Sequence, residues 1–108
     1  MLTPGNNTVV ISDDGKSITV QDQTNNVVKL SEDGIMLDSP KDIKITAKGK
    51  IALTATGDIS MTAQGDVKTT GTNVTATANA SLTGKGSASA EISSPGQTTI
   101  KGSMVMIN

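Results

Sequence analysis

The residues able to do chemistry are few and of few kinds. The chain carries nine Lys, eight Asp and two Glu, and no His, Cys, Arg, Phe, Tyr or Trp. Without His or Cys, disulfides and the usual ligand sets for zinc, haem, iron–sulfur and copper sites are gone. Imidazole bases and thiolate nucleophiles are excluded with them. Carboxylates remain, densest at Asp13-Asp14-Gly15 and Glu32-Asp33-Gly34. These look like pieces of calcium loops, but the full ligand spacing of such a loop is missing and hairpin turns account for them. Paired carboxylates working as acid and base would need a pocket. Asp58 and Asp66 recur at one position of a repeat, one and two repeats after Lys50. An exposed charge ladder of that kind is worth only about 0–1 kcal/mol per pair. Lys44, Lys48, Lys50 and Lys68 fall on what the pattern makes a solvated face. The ten acids and nine Lys are spread along the chain, which leaves neither a basic stripe for nucleic acid nor an acidic tail. No residue is therefore singled out as catalytic, cofactor-binding or metal-ligating, and no cofactor is expected.

With so little chemistry to position, the elements themselves carry the information. The length, 108 residues, suits one small domain. Leu, Ile and Val number 23, against 16 Thr, 11 Ser and 11 Gly. A compact globule of that composition would have an under-filled core. No apolar run approaches a membrane span, and the N-terminus lacks a signal-peptide pattern.

From Ile43 the sequence breaks into eights: IKITAKGK, IALTATGD, ISMTAQGD, then a seven, VKTTGTN, then VTATANAS, LTGKGSAS, AEISSPGQ and TTIKGSMV. Of the 24 residues at positions one, three and five, 17 are apolar and four are Gly. Positions two, four and six hold one apolar residue, Ala52, and Pro95 among polar ones. That alternation predicts strands with one buried face. The core-facing residues are then Ile43, Ile45, Ile51, Leu53, Ile59, Met61, Val67, Val74, Leu82, Ile92 and Ile100. Position seven, with Gly49, Gly57, Gly65, Asn73 and Gly96, is where the chain turns.

Residues 1–40 differ. The runs TVVIS, SITVQD, VVKLS and IMLDS alternate with turn clusters at Asp13-Asp14-Gly15, Thr24-Asn25-Asn26 and Glu32-Asp33-Gly34. They predict a collar of short strands and turns, joined through Asp38–Lys41 to an octad-repeat shaft and tip over residues 41–108. No segment carries a helical pattern.

One chain winding on itself in eights would enclose little volume. Three copies round a common axis would give each short strand its ladder partners and would share a narrow core of small residues. The expected fold is all-β, an intertwined homotrimeric triple-stranded β-helix shaped as a triangular prism. Roughly twelve strand levels at about 4.8 Å predict a shaft of about 60 Å.

The octads, their Gly corners and the ending KGSMVMIN resemble the C-terminal needle of the spike proteins of contractile injection systems. These are the valine-glycine repeat (VgrG) proteins of type VI secretion and the needle of phage tail-spike lysozymes. The resemblance spans about residues 8 to 108. It implies a non-enzymatic homotrimeric spike, assembled in the cytoplasm and then ejected to pierce a target envelope, touching the membrane only transiently. It also implies a cap of the proline-alanine-alanine-arginine repeat (PAAR) type seated on Met104, Val105, Met106, Ile107 and Asn108. The apolar MVMI run at that end fits a docking surface as well as closure of the core. The oligosaccharide-binding-fold and hub domains of such spikes have no counterpart here, so a piece of a longer protein is expected.

Two other classes compete. A trimeric β-helical stalk of a receptor-binding fibre or adhesin would lead to a terminal head, which is not expected here. An enzyme on a single-chain solenoid would need longer coils and a cleft of charged residues.

Overall fold

Each of the four β-branched runs of the N-terminal region is a strand. The computed structural model describes all 108 residues, and it is all-β, with no helix anywhere. Strands β1 (Thr8–Ser12), β2 (Ser17–Gln21), β3 (Val27–Ser31) and β4 (Gly34–Asp38) form an antiparallel meander in sequence order. The chain divides into two compact units, Met1–Ile59 and Ser60–Asn108.

The turns follow from their residues. Lys16 has φ 51° and donates its amide to the Asp13 carbonyl at 3.2 Å, closing the β1–β2 turn. Asn25, at φ 68°, does the same for β2–β3, where its amide reaches the Asp22 carbonyl at 3.2 Å. The two-residue β3–β4 connection, Glu32-Asp33, is followed by Gly34 at φ 119°, a conformation that side chains resist. Ahead of β1, Met1 and Val9 exchange backbone hydrogen bonds, and Leu2 bridges Thr8. The first residues thus add a short pairing outside β1 that the residue pattern alone does not announce.

Register sorts the side chains. Val9 faces Val20, which faces Val28, which faces Leu37. Ile11, Ile18, Leu30 and Ile35 form the parallel row. Cross-strand partners share a face, so one side of the sheet carries eight aliphatic residues and nothing else. The opposite side carries Thr8, Ser12, Ser17, Thr19, Gln21, Lys29, Ser31 and Asp38 around Val10, Val27 and Met36.

Beyond β4 the backbone makes no ladder. From Ser39 to Asn108 no backbone N–H or C=O pairs with another backbone group of the chain. The octads are nonetheless regular. In the first unit the chain bends at residues 40–41, 48–49 and 56–57. In the second it bends at 64–65, 72, 79–80, 87–88, 95–96 and 103–104. The bends fall on positions six and seven of every octad, and on position six of the shortened VKTTGTN, with unbent chain over positions one to five. The bend at Pro40–Lys41 is in phase with them, so Ile35 and Leu37 of β4 stand eight residues ahead of Ile43 and Ile45.

No residue is buried. The alternating positions therefore have no core within the chain, and the expected burial of one octad face is not met by intrachain packing.

Candidate functional site

Three apolar features stand on the surface. The first is the aliphatic sheet face. Even its central-strand residues are open: Ile18, Val20, Val28 and Leu30 are 37–45% exposed, and the edge residues Ile11 and Ile35 exceed 70%. Full burial of one such side chain contributes about 1.5–3 kcal/mol. Half of that from each of eight is roughly 6–12 kcal/mol, the same order as the cost of bringing two bodies together.

The second feature is the octad line. Ile43, Ile51 and Ile59, at position one, are 54%, 55% and 56% exposed, and Ile45, Leu53 and Met61, at position three, 69%, 74% and 71%. Over these three octads the exposure repeats with the sequence. In the second unit Val67, Val74, Leu82, Ile92 and Ile100, at the same octad positions, are exposed as well.

The third is the C-terminal run. Met104 sits in the last bend, and Met106 and Ile107 are the two most exposed large apolar side chains of the chain. Val105 is half exposed and Asn108 fully on the surface.

Polar groups organise one end of the sheet. The Asp22 carboxylate accepts from the Thr24 and Asn26 amides at 2.9 Å each, from the Thr24 hydroxyl at 2.9 Å and from Asn26 Nδ2 at 2.8 Å. These bonds favour the ionised form, and they hold the carboxyl at about 2, below its ordinary 3.8, with the Asn26 side chain contributing most. The Ser39 hydroxyl donates to Asn26 Oδ1 at 2.6 Å and accepts from the Lys41 amide at 3.1 Å. The β2–β3 turn is thereby tied to the point where the chain leaves β4. Sequence reading marks Thr24-Asn25-Asn26 as a turn but misses this tie. Asp at the first position of a five-residue loop with Asn four residues later was the available signal.

The other charged groups stay apart. Lys16 and Glu32 meet at 3.1 Å, joining two turns at the opposite end of the sheet, and both are about 70% exposed. Lys50, Asp58 and Asp66 form no ion pair within the chain. The carboxylates of Asp13-Asp14 and Glu32-Asp33 do not converge with others into a group that could hold a metal ion. An open groove of about 370 Å³ runs beside Val20, Val28, Leu37, Asp22, Ser39 and Ile43, an extension of the aliphatic face rather than an enclosed cavity. No helix is long and apolar enough to cross a membrane.

No protein-family model matches the chain, and no curated protein is similar to it.

Proposed function

We propose that the chain is the needle of a contractile-injection spike: a structural, non-enzymatic element in which three copies wind into a triangular β-helical prism. The observation that carries this reading is the octad region. Seventy residues of regularly bent chain, Ser39 to Asn108, leave every backbone group without a backbone partner in the chain, and no side chain is buried. Backbone groups left unpaired along extended chain are a template for pairing with another chain. Chain bent every eighth residue, with small apolar groups at alternate positions, has the form of one strand set of a ladder completed by other copies.

Surface area points the same way. The lone chain exposes 10983 Å². A folded monomer of 10.9 kDa exposes about 5600 Å² by the usual size scaling. A chain left with twice the normal surface has thousands of square ångströms to remove from water by association, the range of obligate assemblies.

In this reading Ile43, Ile45, Ile51, Leu53, Ile59, Met61, Val67, Val74, Leu82, Ile92 and Ile100 line the shared core. Thr, Lys and Asp coat the shaft, which passes a bilayer without staying in it. The run Met104–Asn108 closes the tip and seats a PAAR-type cap. The spike is assembled in the cytoplasm and then ejected. Its action is mechanical, through the stiffness of a closed ladder.

The first test is mass in solution by light scattering. A stable species near three times 10.9 kDa is expected, and a monomer at micromolar concentration contradicts the assignment. The second is cap binding: Met106→Asp with Ile107→Asp abolishes capture of a PAAR-type protein while leaving the trimer mass unchanged. Undiminished capture removes the docking role of the tip.

A further inference from the structure

We propose that the aliphatic face of β1–β4 is where copies of this chain first join, and that this contact fixes the register in which their octads wind. This rests on the reading that the copies associate.

Octads align themselves poorly. IKITAKGK, IALTATGD and ISMTAQGD share Ile at position one, Thr at four, Ala at five and Gly at seven. Within these three octads a slip of eight residues between copies would therefore pair nearly the same side chains, and repetitive Gly-rich strands specify register weakly. The shortened VKTTGTN and the dissimilar later octads oppose such a slip only downstream, so a contact ahead of the first octad would set the register from the start.

The sheet has the required properties. Its ladder closes within one chain, so its strands need no partner copy to pair. It does not repeat, so it offers one alignment. Its apolar face holds no polar or charged side chain, so identical faces turned toward a common axis leave nothing unpaired when the copies meet. Seven of its eight aliphatic residues are 37–77% exposed, which makes a patch at least as large as the biggest (~300–600 Å²) on ordinary monomers and of the order of the ~800 Å² that each partner contributes to a stable interface. No segment of the chain covers it.

The face is also in phase with the repeat. Ile35 and Leu37 precede Ile43 and Ile45 by eight residues, across a bend placed like those of the octads. The Asn26–Ser39 hydrogen bond holds the chain where it leaves the sheet. Copies aligned on the sheet thus enter the first octad aligned.

The experiment uses full chains, which contain no native Cys. Chains with Ile45→Cys and chains with Leu53→Cys are mixed unfolded, refolded together and oxidised. With the face intact, the links expected are 45 to 45 and 53 to 53, with mixed links below a tenth of the total. Val20→Thr, Val28→Thr and Leu30→Thr place β-branched residues, which suit strands, at all three positions while making the face polar. In that background, mixed links rise several-fold or association is lost. Val10→Thr with Met36→Thr, on the opposite side of the sheet, leaves the parent pattern. In-register links alone in the face variant, or equal scrambling in the opposite-side variant, overturn the proposal and leave the assembly reading standing. Parent chains that stay monomeric and form no links overturn both.

Discussion

Asp22 shapes the N-terminal sheet more than any other single side chain. Its carboxylate gathers the amides and side chains of Thr24 and Asn26, and Asn26 passes the constraint on to Ser39. The carboxyl is held at about 2 against an ordinary 3.8. A folded value below the unfolded one means a stabilising contribution that is complete above about pH 4 and lost as pH falls through about 2. The expected result is a carboxyl-carbon titration of Asp22 with a midpoint near 2, and Asp22→Asn that lowers Tm at pH 7 but not at pH 2. A midpoint near 4 would contradict the network. Gly86 is a second residue whose identity is dictated locally. A Cβ placed there would lie 2.0 Å from the Ser89 carbonyl oxygen, and backbone must move to admit it. Gly86→Ala should cost on the order of 1–3 kcal/mol, the usual penalty for forced backbone shifts. Gly57, by contrast, has open space where its Cβ would stand in the chain. Thermal unfolding of the Gly86→Ala chain beside the parent measures the first effect, and an unchanged Tm would show that the corner relaxes freely.

Elements behave as units because the bends recur every eight residues. Removing Ile51–Asp58 takes out one whole octad and leaves every later side chain in its place relative to its bend. Deleting Thr54 alone moves Ala55 to the outward side within an unbent run, since neighbours along extended chain point to opposite faces. In the needle reading, the eight-residue deletion should keep the trimer mass and nearly the parent Tm, whereas the one-residue deletion should lower Tm despite removing less. Equal effects would mean that the octad is not the structural unit. The four strands and the octad corners were legible in the residues, for physical reasons. β-branched runs between Asp, Asn and Gly clusters leave little choice but hairpins, and Gly49, Gly57 and Gly65 mark the bends at regular spacing. The sheet's two-sidedness was not legible. VVIS and VVKL hold consecutive aliphatic residues, and only the pairing of Val9 with Val20 and of Val28 with Leu37 shows which of them share a face. Nor did alternation in the octads reveal where burial occurs, because a period of two reports a face and not what covers it.

At the scale of the whole molecule, the balance of surface and chain entropy governs. A lone chain with no buried residue and 10983 Å² exposed has little to offset the backbone entropy of ordering its octads. In the needle reading, stability comes from association and depends on concentration through mass action. Three chains wound about one another separate only by breaking many ladder bonds together, which makes unfolding slow as well as unfavourable. Melting should therefore shift upward as chain concentration rises. Refolding should slow steeply on dilution, and the rate of unfolding should be the same at every concentration. Heating and cooling scans should show wide hysteresis, and the species should resist dissociation in cold dodecyl sulfate. These signatures separate assembly from an unusual monomer. If melting is reversible and identical across a hundredfold dilution, the octads are stabilised without partner copies, and the aliphatic sheet face and octad line must then be covered by something other than a second copy of this chain.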